Sequence, residues 1–167
     1  YIPKDVSEID ATAVTSGNIT INASKATTTN AKGVEITGGA AKLTVTGGAK
    51  LVTIYGGSGD IDATNGGAAA NENGGIKIEG GTGNVTITEG TSQEHSGAIT
   101  VEKKTGGSVT VTGGASIGTS GEIKITAGDG MGNITVDTKS ASGAITVNAA
   151  ANTKAHTIKV DASTGTR

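Results

Sequence analysis

Aliphatic residues along the chain recur in short alternating triplets, in which two aliphatics flank a single residue that is usually polar. Ile134-Thr135-Val136 and Ile145-Thr146-Val147 are two of these triplets, and a single residue separates each from a preceding glycine. Alternation with a period of two is the pattern of a β-strand with one buried face. The chain has about thirteen such triplets and no apolar stripe with a helical period; their first aliphatics are Ile19, Val34, Leu43, Val52, Ile61, Ile76, Val85, Ile99, Val109, Ile123, Ile134, Ile145 and Ile158.

The spacing between alternate triplets is nearly constant. Ile61, Val85, Val109, Ile134 and Ile158 follow one another at an interval of about 24 residues, and the interleaved set keeps nearly the same interval. Towards the N-terminus the interval is shorter, about 18 residues. A period carried by every second strand favours a coil with two main faces. We therefore predict an all-β fold, a parallel β-solenoid (β-helix) of about six rungs with ~24 residues and two main strands per rung. The alternative is an antiparallel β-sandwich, which also has many short strands.

The repeats divide the chain into three parts. Residues 16–161 hold the solenoid repeats, residues 1–15 are predicted to form an N-terminal arm or cap, and residues 162–167 a short C-terminal tail. Many of the connections are rich in glycine, for which we expect positive φ angles at the corners of the coil.

Composition excludes several classes of function. The chain has 167 residues, of which 34% are hydrophobic, with two Tyr and neither Phe nor Trp, and the formal net charge is −2. Nucleic-acid binding would lack both its basic surface and its stacking aromatics. The chain contains no run of 18 apolar residues, so no transmembrane helix is predicted. The absence of Cys excludes disulfides. Stacked Ile, Val and Leu explain how a core forms without aromatics.

The sequence contains few candidates for catalytic residues. His95 and His156 lie in different segments, and no nucleophile elbow, phosphate-binding loop or His-Glu-x-x-His motif is present. Sugar-cleaving β-helix enzymes use a cleft with acidic and aromatic residues, whereas the carboxylates here are scattered along the chain. We expect a non-enzymatic protein without a cofactor.

A weak calcium site is a further candidate. Gly56-Gly57-Ser58-Gly59-Asp60-Ile61-Asp62 resembles one copy of the glycine- and aspartate-rich nonapeptide that binds Ca²⁺ in parallel β-rolls. The preceding turns carry no aspartate, although such a roll needs carboxylates repeated between turns. Asp60 and Asp62 are therefore a weak calcium candidate, and otherwise no metal site is predicted.

Four segments match the N-glycosylation sequon, among them Asn84-Val85-Thr86 and Asn133-Ile134-Thr135. Three of the four fall at strand starts within the repeat, so the repeat itself accounts for them.

Threonines dominate one outward face of the predicted coil. A flat Thr-x-Thr array on a β-solenoid resembles the ice-binding surface of some antifreeze proteins. Asp62, Asp137, Lys159 and Asp161 interrupt the array, and Thr is in any case a good exposed strand residue. The residues that carry the resemblance are Thr44, Thr46, Thr86, Thr88, Thr110 and Thr112.

The unit Ser-Gly-x-Ile-Thr-Val links the chain to a known class. It occurs as Ser96-Gly97-Ala98-Ile99-Thr100-Val101 and as Ser142-Gly143-Ala144-Ile145-Thr146-Val147. It resembles the repeats of bacterial secreted β-solenoids, namely filamentous-haemagglutinin-like adhesins and putative-adhesin β-helix proteins of the envelope. The resemblance covers most of residues 16–161 and implies surface exposure, adhesion or assembly, with no catalytic residues.

The expected function is that of an extracellular or cell-surface structural protein, a β-solenoid subunit of a bacterial filament, matrix fibre or adhesin. Its expected partners are copies of itself, joined by head-to-tail stacking or strand addition, and a host or cell-surface glycan or protein. The alternative is a binding module: an ice-binding solenoid, or a phage or adhesin shaft with recognition loops at residues 88–97 and 112–121. The residues expected to contribute to assembly are Ile2, Val6, Ile9, Val14, Ile158 and Val160.

Overall fold

The computed structural model describes residues 7–24, 33–64, 67–68, 74–89, 95–113, 121–128, 130–138, 144–149 and 157–161. Within these ranges there is no helix that could cross a lipid bilayer. The strands are β1 (Glu8–Asp10), β2 (Asn18–Asn22), β3 (Val34–Thr37), β4 (Lys42–Thr46), β5 (Val52–Gly56), β6 (Ile61–Thr64), β7 (Gly67–Ala68), β8 (Ile76–Gly80), β9 (Val85–Thr88), β10 (His95–Ser96), β11 (Ile99–Lys103), β12 (Val109–Thr112), β13 (Ile123–Ala127), β14 (Ile134–Asp137), β15 (Ile145–Ala149) and β16 (Ile158–Asp161).

Two parallel sheets of seven strands each form the solenoid. Sheet A has the order β1-β3-β5-β8-β11-β13-β15, and sheet B has the order β2-β4-β6-β9-β12-β14-β16. The chain passes from one sheet to the other with each successive long strand, so neighbours within a sheet are one coil apart. The predicted parallel β-solenoid is confirmed, and the β-sandwich alternative is wrong. The short strand β7 lies in the connection from β6 to β8, and β10 lies in the connection from β9 to β11. The two form a separate antiparallel pair.

The registers match the predicted period. Val109 of β12 pairs with Val85 of β9 on one side and with Ile134 of β14 on the other. Ile145 of β15 pairs with Ile123 of β13. The two similar triplets at 134–136 and 145–147 therefore belong to different sheets, and each stacks on a similar triplet of the preceding coil.

Strand β1 is not among the triplets that the sequence pattern predicts. It lies within residues 1–15 and pairs in parallel with β3 of the same chain, with Ile9 opposite Ile36. Its segment Ile9-Asp10-Ala11 repeats the pattern of Ile61-Asp62-Ala63, and Ala11 is buried like Ala63. Because its third residue is the small Ala11, this segment does not stand out as an aliphatic triplet. The triplet of β6 nevertheless has alanine, Ala63, at the same position. Whether the remainder of residues 1–15 forms an arm or a cap stays a prediction.

The core consists of the inward aliphatics of both sheets. Val109, Val111, Ile134 and Val136 are 0% exposed. Most interior strands alternate buried and more exposed residues, as the triplets require. Because like side chains stack on like in the ladder, the core fills without an aromatic residue.

Glycines at the corners serve two different purposes. Gly80 and Gly81 have the positive φ angles predicted for the corners. Gly83 and Gly107 do not, and a Cβ at either would lie 2.2 or 2.3 Å from the backbone oxygen of the glycine one coil earlier. At these positions glycine is needed because two backbones approach closely. The prediction of positive φ at the corners is therefore wrong for this glycine column.

Candidate functional site

The outer surface of sheet B carries two adjacent columns of threonine, which we call the threonine face. One column runs through Thr46, Thr64, Thr88 and Thr112 on four consecutive strands. Three threonines lie on this face in addition to the six that carry the ice-binding resemblance. The face comprises Thr20, Thr44, Thr46, Thr64, Thr86, Thr88, Thr110, Thr112 and Thr135.

Charged residues interrupt the threonine face at two places. Asp62 stands between Thr44 and Thr86 in the other column, and it forms an ion pair with Lys42. The other charges lie on the last two strands of sheet B, where Asp137 is paired with Asp161. Between these two places, β9 and β12 carry threonine in both columns.

The calcium candidates already have protein partners. Oδ1 of Asp60 accepts the backbone N–H of Asn84 at 2.7 Å and its side-chain amide at 3.2 Å, and Asp62 binds Lys42. Among the described residues there is no group of three or more His, Cys, Asp or Glu that could hold a metal ion. Calcium binding at Asp60 and Asp62 stays a prediction, and these contacts weigh against it.

Hydrogen bonds from a backbone N–H to a side chain recur along the corner that leads into sheet B. They join Asn84 to Asp60, Ser108 to Asn84 and, further along, Thr157 to Asn133, and we call this set the corner ladder. The Oδ1 atoms of Asn84 and Asn133 accept the backbone N–H groups of Ser108 and Thr157, each at 3.0 Å. Each side chain thus satisfies a donor of the following coil, which the strand ladder leaves unpaired. The same asparagines head two of the sequons, so their position has a structural reason.

A surface cleft of about 700 Å³ lies where sheet A turns towards sheet B. Its wall on sheet A is a column of outward residues on four consecutive strands, Tyr55, Glu79, Glu102 and Thr126. Its other side is formed by the corner segments that follow β8, β11 and β13 and includes Thr82 and Lys104. These carboxylates look scattered in the sequence. The fold brings them together.

Local contacts fix the orientation of two side chains of the cleft. The hydroxyl of Tyr55 donates to Oε1 of Glu35 at 3.1 Å, and this bond raises the pKa of the Tyr55 phenol above its ordinary value. Lys77 forms an ion pair with Glu79, which raises the pKa of Lys77. Tyr55 is 38% exposed, so it offers a held aromatic surface at the edge of the cleft.

Lys103 lies at the inner side of the same corner. It occupies an inward position of β11, it is 1% exposed, and its Nζ donates to the carbonyl oxygen of Gly83. Desolvation lowers the pKa of Lys103, while the negative charge of Asp60 opposes that shift. Sequence reasoning does not find this residue because a lysine after Ile99-Thr100-Val101-Glu102 looks like the exposed end of a strand.

The remaining predicted residues fall at the ends of the stack or outside the described residues. Val14, Ile158 and Val160 are exposed, whereas Ile9 is partly buried against the core. Ile2, Val6 and His156 lie outside the described residues, and so does most of the predicted recognition loops. His95 belongs to the short strand β10, opposite Ala68.

Comparison with known proteins gives no match. No protein-family model, curated protein or solved structure matches the chain. The parallel β-solenoid is therefore established by the strand pairing alone.

A simple signal in the sequence predicts the column of residues that forms the sheet A wall of the cleft. Glu102 follows Glu79 after about one period of the repeat and shares its register position, and Tyr55 holds the same position one coil before Glu79. The period that positions the inward aliphatics applies equally to the outward residues. Applied to them, it predicts the column directly.

Proposed function

We propose that this protein is a non-enzymatic structural protein that assembles by end-to-end stacking of its solenoid, as in the bacterial surface filaments and adhesins whose repeats it resembles. The extracellular or cell-surface location belongs to the same proposal.

The observation that carries the proposal is the state of the last strand. In β16 all four residues are exposed, and Ile158 and Val160 are 43% and 46% exposed. Both stand in register with Ile134 and Val136 of β14, which are buried. β16 is also the edge strand of sheet B, and no described strand pairs with its outer side, where a further parallel strand would add.

The first strands of the stack are complementary to the last. β1 and β2 are the opposite edge strands of the two sheets, and Ile9 and Ile19 are only partly buried. If a second copy continued the coil, Ile19 and Ile21 would stack on Ile158 and Val160. The outward neighbours would be Lys159 with Thr20 and Asp161 with Asn22, so no like charges would meet. Such a head-to-tail contact does not close on itself and produces fibres.

The test is assembly as a function of protein concentration, followed by light scattering and negative-stain electron microscopy. We expect filaments or end-to-end oligomers, and we expect Val160→Asp to abolish them while the circular dichroism of the protein stays that of a β-fold. Thr112→Asp places the same charge on an outward position of an interior strand and is the control. A wild-type protein that remains monomeric at high concentration contradicts the proposal.

The threonine face supports a second candidate function, binding to ice. Thr46, Thr64, Thr88 and Thr112 repeat at the ~4.8 Å spacing of neighbouring strands, so their methyl and hydroxyl groups form a regular row beside a second row. Thermal hysteresis measures this activity. Thr88→Lys is expected to remove it and Thr100→Lys, on sheet A, to leave it intact; wild-type protein without hysteresis refutes it.

A further inference from the structure

The cleft on the side of sheet A has the dimensions of a ligand site. Its volume of about 700 Å³ lies within the range of small-molecule sites in proteins, which is about 300 to 1,000 Å³. Its column of residues spans β5, β8, β11 and β13, the middle of the stack. End-to-end assembly would leave it open, so ligand binding in the cleft does not depend on assembly.

The charges that line the cleft are balanced. Glu102 and Lys104 present one exposed group of each sign, while Glu79 is paired with Lys77 and the ammonium group of Lys103 bonds to the carbonyl oxygen of Gly83. Lys103 is buried beneath the corner, whereas Lys104 is exposed. A strongly charged ligand would meet a group of its own sign there. The balance favours a ligand with many hydrogen-bonding groups and no net charge.

The shape and chemistry of the lining narrow the class further. The Tyr55 ring is held by its bond to Glu35 and partly exposed, so it can pack against a flat apolar surface of a ligand without losing much conformational freedom. Glu102 and Thr126 are exposed two and three strands along the column from Tyr55, and Thr82 is exposed on the corner side of the cleft. These side chains offer acceptors and donors for hydroxyl groups. The lining also includes glycines, which let a ligand approach the backbone; they are Gly80, Gly81 and Gly128.

From this combination we propose that the cleft binds a neutral saccharide. One sugar unit packs on Tyr55, and the hydroxyl groups of the following units bind Glu102 and the threonines. The column crosses four successive strands that are ~4.8 Å apart. It therefore suits an oligosaccharide that lies along the axis of the coil.

The experiment uses a panel of defined oligosaccharides: cellotetraose, maltotetraose, mannotetraose and tetra-N-acetylchitotetraose, with tetragalacturonate and chitosan tetramer as charged counterparts. Saturation-transfer NMR detects binding. The chain has two tyrosines and no tryptophan, so in a Tyr1→Phe background the fluorescence of Tyr55 alone reports occupancy of the cleft.

We expect at least one neutral oligosaccharide to bind and to change the Tyr55 fluorescence. Tyr55→Ala, measured by NMR, is expected to weaken binding about two- to tenfold, since an aromatic contact is worth about 0.5 to 1.5 kcal/mol, whereas Tyr55→Phe keeps the ring and most of the affinity. Glu102→Gln is expected to weaken it several-fold, and Lys124→Ala, on the same face outside the cleft, to change nothing. No binding by any neutral oligosaccharide, a preference for the charged ones, or affinity unaffected by Tyr55→Ala would overturn the proposal.

Discussion

Strands β12 and β16 have the same pattern in different surroundings. Both belong to sheet B, and both place aliphatics at the first and third positions of the strand. In β12 these residues, Val109 and Val111, are 0% exposed, whereas Ile158 and Val160 of β16 are 43% and 46% exposed. β12 has a parallel neighbour on both sides, and β16 has a described neighbour on one side only.

The difference shows what a triplet does and does not determine. Alternation decides that two side chains point towards the axis of the coil. Burial depends on the rungs above and below, because a single rung cannot cover its own apolar surface. Stability is therefore expected to be concentrated in the interior strands, and substitutions at an interior position should differ from those at an end position or at an outward neighbour.

The largest effect is expected from Val111→Asp. It places a carboxylate at a position that is 0% exposed and should lower the free energy of unfolding by about 4 kcal/mol or more. Val160→Asp makes the same change at the aligned position of the exposed strand and should cost less than about 1 kcal/mol. Urea denaturation of both variants under conditions that keep them monomeric measures the contrast. Equal losses would mean that the two rungs are equally buried in solution.

The glycine column provides the next largest effect. In Gly83→Ala the new Cβ would lie 2.2 Å from the carbonyl oxygen of Gly59, so the two coils must move apart. We expect a loss of about 1 to 3 kcal/mol, the usual cost of overpacking. Thr86→Ala, at an exposed position of the same rung, should change stability by less than about 0.5 kcal/mol. If thermal unfolding shows no difference between these variants, the close approach of the backbones is wrong.

The sequence predicted the repeat more completely than the surface. The period follows from stacking, which requires inward residues of similar shape at equal intervals, and the registers of Val85, Val109 and Ile134 confirm it. Outward residues are under no such constraint. The cleft depends on the corner segments beside Glu79 and Glu102 as well as on the column itself, and the path of a corner does not follow from a strand pattern.

Two single residues show the same limit. Lys103 lies buried because its carbon chain fits the inward position after Val101 and its amine reaches the carbonyl of Gly83. That partner is identified only by the fold. Likewise, Asn84 looks like half of a sequon until the structure pairs its Oδ1 with the N–H of Ser108.

The corner ladder supplies a smaller contrast between the interior and the first rung. Asn84→Ala removes the acceptor of the Ser108 N–H and should cost about 1 kcal/mol, the usual net value of one hydrogen bond. Asn18 holds the equivalent position on β2, but there the backbone N–H of Lys42 bonds to the carbonyl oxygen of Gly17. Asn18→Ala should therefore be close to neutral. Amide hydrogen exchange at Ser108 is the direct measurement, and unchanged protection in Asn84→Ala would contradict the ladder.

The smallest effect at neutral pH is expected from Lys103→Met, which instead changes the pH dependence. Desolvation lowers the pKa of Lys103 in the folded state from 10.5, so between the lowered value and 10.5 the unfolded chain binds more protons than the folded one. Wild-type stability should therefore rise with pH in this window. Lys103→Met should remove the rise, because it keeps the apolar chain and has no proton to release, and its stability at neutral pH should be equal or higher, as for other buried charges replaced by apolar groups.

The ionisation of Tyr55 limits the pH range over which this rise in stability is measured. Its pKa is raised above 10.0 by the bond to Glu35, so above about pH 10 the folded state holds the extra proton and stability falls again. Urea denaturation of Tyr55→Phe and of Tyr55→Phe with Lys103→Met isolates the lysine, since Phe does not ionise. A stability curve with the same upward slope in both variants would mean that Lys103 is as solvated in the fold as in the unfolded chain, and the interior position at the end of β11 would then be no different from an exposed end.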